Sequence, residues 1–167
     1  MLTEERNEKD MELWRNLFES EITYIQTRQE FLKHSTNRVE LIEKALHNPA
    51  ERGTALRLIE YCTIEECQIL FDDLVNLASV SHSDIDLVRK AILSLPKTWL
   101  LANIENSAAP LLKDGTDEEY RRLLELYIHI DEQLTQKLVN QALNHPDPDI
   151  QEVGSDFQKY IKKEVCS

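Results

Sequence analysis

The sequence predicts an all-α fold: a short α-solenoid of stacked helical hairpins, preceded by one long N-terminal helix. Three observations predict it. The composition is rich in Leu, Glu, Ile and Ala and holds only 3 Gly, a set that favours helix over strand. Breakers divide the chain into segments of about 11 to 18 residues, the usual size of globular helices. Within those segments the apolar residues fall at helical spacing, and the pattern recurs at a nearly constant interval.

Length and composition set the frame. A chain of 167 residues with 41% apolar content is long enough for one domain with a real core. The breakers stand at Ser35-Thr36-Asn37, Asn48-Pro49, Ser79 to Ser83, Pro96, Asp114-Gly115-Thr116 and His145-Pro146-Asp147-Pro148. No segment alternates apolar and polar residues long enough to read as a strand. We expect a single helical-repeat domain over 1–167, with an N-terminal capping helix over 1–35 and degenerate repeats over 36–165.

The N-terminal segment comes first. Residues 4–34 contain neither Pro nor Gly and read as one helix. Met11, Phe18, Ile25 and Leu32 fall seven apart, and Leu17, Tyr24 and Phe31 do the same on a second face, with Trp14 and Ile22 widening the first stripe. Two apolar seams exceed what one neighbouring helix covers. The helix either caps the open end of the repeat core or offers a homodimer seam or a docking surface for a partner helix.

The repeat follows. Val88, Ala91, Ile92 and Leu95 occupy i, i+3, i+4 and i+7, and Tyr120, Leu123, Leu124 and Tyr127 repeat that spacing 32 residues later. Ile150, Val153 and Phe157 repeat it after a further 30, with Gly154 in the remaining slot. Going back by 36, Ala55, Leu56 and Ile59 match, and Arg52 holds the first position. A second helix follows each of the first three copies. Thr63 and Glu66 form a capping box ahead of Cys67, Leu70, Phe71, Leu74 and Ala78. Pro96 suits a first turn before Leu101, Ile104, Ala108 and Leu111, and Pro110 is expected to kink or end that helix. Asp131 is a good N-cap for Leu134, Leu138 and Ala142.

The run Asp84-Ile85-Asp86-Leu87-Val88-Arg89, followed by Ala91 and Leu95, resembles the Asp-x-x-Val-Arg signature of HEAT repeats. Asp117-Glu118-Glu119-Tyr120-Arg121 and Asp147-Pro148-Asp149-Ile150 are similar but degraded, and Asn48-Pro49-Ala50-Glu51-Arg52 is weaker. The likeness covers roughly residues 37 to 165. It implies a right-handed stack of hairpins in which the early Asp caps a helix start and the Arg reaches an acidic neighbour in the next repeat. Both roles are structural, so the likeness implies architecture and no activity.

Chemistry-bearing motifs are sparse. The histidines at 34, 47, 82, 129 and 145 form neither His-x-x-x-His nor Glu-x-x-His, so no metal motif is present. Glu125 and His129, at i and i+4, read as a surface ion pair. Cys62, Cys67 and Cys166 lack a C-x-x-C spacing, and Cys62 and Cys67 read as small buried hydrophobes. Glycine loops for phosphates, nucleophile elbows and dinucleotide fingerprints are missing. We expect no cofactor and no catalysis. An N-terminus without an apolar core, no span of apolar residues and an odd cysteine count suit a cytoplasmic protein.

Charge supplies the one functional pointer. The formal net charge is -12, which disfavours nucleic acid and anionic membrane and favours a basic protein surface. From Leu58 through Val88 there is no Lys or Arg, while Glu60, Glu65, Glu66, Asp72, Asp73, Asp84 and Asp86 carry negative charge. On the helix from Thr63, Glu65, Glu66, Asp72 and Asp73 are expected to project outward together. They form either a solvated acidic face or a docking site for a Lys/Arg-rich partner. The expected function is a protein-binding repeat module, an adaptor or scaffold. The runner-up is a small acidic inhibitor or immunity-type antidote that blocks a basic protein such as a nuclease toxin. A DNA-acting enzyme, the activity of some HEAT-like glycosylases, requires a basic groove that this sequence does not supply.

Overall fold

The computed structural model describes residues 2–165 and the side chains of residues 6–161. Cys166 therefore lies outside the described residues. These residues hold nine α-helices and one short 3-10 turn, with no strand among them. Chain contacts divide the protein into two compact units, residues 1–40 and 41–167.

The first unit is dominated by α1 (Leu2–His34), a helix of 33 residues and so about 50 Å long. Ser20, Thr23 and Thr27 donate their hydroxyls to the carbonyls of Asn16, Glu19 and Thr23 within the helix. Arg38 donates from Nη1 to the Leu32 carbonyl at 2.7 Å, satisfying an end group of α1. Along the described part of α1 the apolar side chains Met11, Leu13, Trp14, Leu17, Phe18, Ile22, Tyr24 and Ile25 are exposed.

The second unit contains the rest of α2 (Arg38–Leu46), then α3 (Arg52–Leu58), the 3-10 turn Ile59–Tyr61, α4 (Ile64–Ala78), α5 (Ile85–Leu93), α6 (Lys97–Lys113), α7 (Asp117–Tyr127), α8 (Glu132–Leu143) and α9 (Pro148–Val165). Sequence neighbours pack together, α4 on α5, α6 on α7, α7 on α8 and α8 on α9. Alternate helices also pack, α3 on α5, α4 on α6 and α7 on α9. The recurring stripes form the core: Leu56, Ile59, Val88, Ala91, Ile92, Leu95, Leu123, Leu124, Val153 and Phe157 are all buried, as are Leu70, Phe71, Leu74 and Leu138. Each buried Val, Leu, Ile or Phe among them contributes about 1.5–3 kcal/mol by leaving water.

Charged contacts tie one copy of the pattern to the next. Arg89 pairs with Glu125, 36 residues on, and Arg122 holds the same carboxylate at 2.8 Å. Arg121 reaches Asp156, 35 residues on, at 3.2 Å. Lys97–Asp131 at 3.7 Å and Lys137–Glu105 at 2.6 Å span similar separations. Arg52, which stands where the other copies are apolar, donates from Nε to the Leu46 carbonyl at 2.8 Å.

Four local expectations need correction. Pro110 does not end α6, which continues to Lys113; the proline is exposed, where its missing N–H costs one helix bond. The buried row of α6 is Leu100, Ile104, Ala108 and Leu112, so Leu101 and Leu111 are each displaced from it by one position. Glu125 belongs to Arg89 and Arg122 and not to His129, because two guanidinium groups outcompete one exposed imidazole. Asp84 stands at the N-cap of α5 without a side-chain capping bond. Its N–H instead donates to His82 Nδ1 at 3.1 Å, and Asp147 repeats that turn with His145. In the intervening copy Thr116 forms a capping box with Glu119 one residue ahead of Asp117. Of the three aspartates, only Asp147 accepts a side-chain bond at a helix start, from Asp149 N–H at 2.9 Å.

Candidate functional site

The site is built on α4. Its start is fixed by the expected capping box: Thr63 N–H donates to Glu66 at 2.8 Å, and Glu66 N–H donates to the Thr63 hydroxyl at 3.3 Å. Cys67, Leu70, Phe71, Leu74 and Ala78 then bury one face, with Val75 and Leu77 beside them. Positions 65 and 72 lie on one line along the helix and positions 66 and 73 on the next, about 100° round.

That rotation separates the four carboxylates into two pairs. Glu65 and Asp72 face solvent. Glu66 is turned back into the capping box, and Asp73 is half-buried against His47, 3.2 Å away. The outward row therefore consists of Glu65 and Asp72 together with Gln68, Asn76 and the 63% exposed Ile69. Glu65 is held below the ordinary carboxylate range by its own backbone N–H and next by the Thr63 hydroxyl, so it remains charged near neutrality.

Asp72 also borders a cleft. Gln68, Phe71 and Asp72 of α4 face Trp99, Asn103, Asn106 and Ser107 of α6 across a cavity of about 320 Å³. Trp99 is half-buried and meets the Phe71 ring edge-on, with centroids 4.7 Å apart and planes at 80°. Asn103 Nδ2 donates to the Trp99 carbonyl at 2.7 Å. The lining carries an aromatic face, a carboxylate, three amides and a hydroxyl, with no Lys or Arg.

Sequence reasoning found the acidic helix and missed the cleft. Trp99 stands one residue before the Leu100 row of α6, at the flank of its apolar stripe. Next to that stripe, a tryptophan reads as core. Tyr120 and Tyr127, by contrast, are fully enclosed.

A second cleft, about 550 Å³, opens between α6 and α8, with the Glu105–Lys137 pair at its edge and Tyr127 among its lining. Cys67 is buried as expected and Cys62 is only half-buried, and a hydrogen bond with Cys62 holds the Cys67 thiol below its ordinary range. Among the described residues no cluster of His, Cys, Asp or Glu converges as a metal ion requires. No helix among them is long and apolar enough to cross a membrane. No protein family, curated protein or solved structure matches this chain.

Proposed function

We propose that this chain is a non-catalytic helical-repeat adaptor that binds a basic segment of a partner protein along α4. The observation that carries this reading is the half-buried Trp99 ring beside the Asp72 carboxylate, in a cleft lined by no Lys or Arg. A Lys or Arg side chain entering there gains cation–π attraction from the indole and an opposite charge from Asp72, while its aliphatic stem covers apolar surface. Glu65 and the exposed Ile69 extend the face by more than a helical turn. Opposite charge along such a face raises the association rate and selects against acidic partners.

The α-solenoid reading belongs to the same proposal. Packing of alternate helices on one another, and ion pairs 36 and 35 residues apart, are what a stack of similar hairpins requires. The Arg of the HEAT-like signature reaching an acidic residue one repeat on also favours it.

A low-salt pull-down from native lysate, followed by titration of the recovered partner, tests the function. Asp72→Lys is expected to slow association and weaken binding while the thermal midpoint stays within the small range of exposed substitutions. Added salt should weaken the wild-type complex more than that of the variant. Equal affinity at low and high salt would leave this face a solvated surface.

A further inference from the structure

Tyr120 and Tyr127 stand two turns apart on the buried stripe of α7, and their hydroxyls are treated differently. That of Tyr120 accepts from Gln141 Nε2 of α8 at 3.1 Å. Two turns before Gln141, α8 carries Leu134, and the Tyr127 hydroxyl has no hydrogen-bond partner among the described residues. Buried hydroxyls are normally paired, so this one leaves a place for an acceptor from outside the chain.

The unpaired group lies at the floor of the cleft between α6 and α8. The walls of that cleft, about 550 Å³, come from those two helices, and Tyr127 is the one residue of α7 in its described lining. The Tyr127 ring is 2% exposed and enclosed by core, so it reaches a groove between two other helices with its far end. The charge of Glu105, at the cleft edge, bears on the phenol, which sets the hydroxyl on the same side. The volume falls within the range of small-molecule sites, about 300–1,000 Å³.

The lining suits an anion with an apolar body. Ala109 and Leu112 of α6 face Leu134 and Leu138 of α8. Lys137 pairs with Glu105 at 2.6 Å, and Lys113 has no ion pair among the described residues. Two ammonium groups against one carboxylate leave one positive charge in this cleft, in a chain whose net charge is -12.

We propose that the cleft binds a small carboxylic acid with an apolar body. Its carboxylate accepts from the Tyr127 hydroxyl and is balanced by the two lysines, a charge-assisted arrangement, while its body covers Leu112, Leu134 and Leu138. One uncompensated charge matches a monocarboxylate better than a phosphate, which carries about -1.5 to -2. A ligand that pairs the orphaned hydroxyl also recovers the stability lost by burying it. Helix α4 contributes no residue to this cleft, and failure of either proposal leaves the other standing.

Calorimetric titration of the full chain with phenylacetate and hexanoate, and with phenylacetamide as a neutral isostere, tests the site. Both acids are expected to bind at millimolar concentration or below, and the amide about tenfold more weakly or worse. Tyr127→Phe should weaken the acids by about tenfold while its thermal midpoint stays at or above that of the wild type, which separates lost binding from lost folding. Lys113→Gln should weaken the acids and leave the amide unchanged. Absence of binding by both acids, equal affinity for acid and amide, or a Tyr127→Phe variant that binds the acids like the wild type overturns the proposal.

Discussion

Tyr127 shows how one atom and its ring can have opposite effects on stability. Its ring is 2% exposed and fills the last apolar slot of the α7 stripe, yet its hydroxyl is buried with no hydrogen-bond partner among the described residues. Burial first, and the Glu105 carboxylate second, push its ionisation upward from the ordinary tyrosine value, so the group stays neutral. Leaving a buried hydroxyl unpaired costs about 1–3 kcal/mol. Tyr127→Phe keeps the ring and removes that cost, so we expect chemical denaturation to show a stability gain on the order of 1 kcal/mol. A loss of similar size would mean that the hydroxyl is satisfied. His82 shows the contrasting case. Its Nδ1 accepts from Asp84 N–H and its Nε2 lies 3.0 Å from the Leu77 carbonyl, so the neutral Nε2–H tautomer satisfies both nitrogens.

Among the elements, the α8–α9 pair depends on a missing side chain. Gly154 occupies the slot that Ile92 and Leu124 fill in the two preceding copies. A Cβ there would stand 2.8 Å from the backbone nitrogen of Leu143 and 3.1 Å from Ala142 Cβ. The glycine therefore lets the two helices approach closely. Gly154→Ala gains about 1 kcal/mol of helix propensity and incurs about 1–3 kcal/mol of overpacking against a backbone that cannot swing aside. The expected outcome is a lower thermal midpoint, and an equal or higher one would show that α9 shifts freely. Capping varies in the same way between elements. Thr63 and Thr116 start their helices with full boxes, and Asp131 accepts from the N–H groups of both Gln133 and Leu134.

For the whole molecule, acid should act through a few paired carboxylates despite the large net negative charge. Burial raises Glu125, but hydrogen bonds from Arg122 and Arg89 outweigh it and hold the group low. Glu119 is similarly raised by burial and pulled down further by the Thr116 N–H and hydroxyl. The Leu134 N–H, then that of Gln133, lowers Asp131. Depressed carboxylates add stability that is complete above their unfolded values and is lost as pH falls through the folded ones. The thermal midpoint should therefore hold from neutrality to about pH 5 and fall below about pH 4. Glu125→Gln should lower the neutral midpoint and reduce the acid-induced fall, since its contribution is already gone. A variant whose acid profile parallels the wild type would remove the Arg89–Glu125–Arg122 network from the account.

Although α2, α3 and α5 are shorter than the expected segments, helical class, the recurring stripes of α5, α7 and α9 and the Thr63 and Asp131 caps were legible in the sequence alone. Each depends on neighbours within a few residues, and a 3.6-residue period is legible wherever one face is buried. The tertiary structure decided which flank of a stripe meets another helix. That choice sets Trp99 beside Phe71 and Asp72, turns Asp73 toward His47 and away from the outward row, and directs Glu125 to Arg89. Such contacts join residues tens of positions apart, beyond the reach of a helical period.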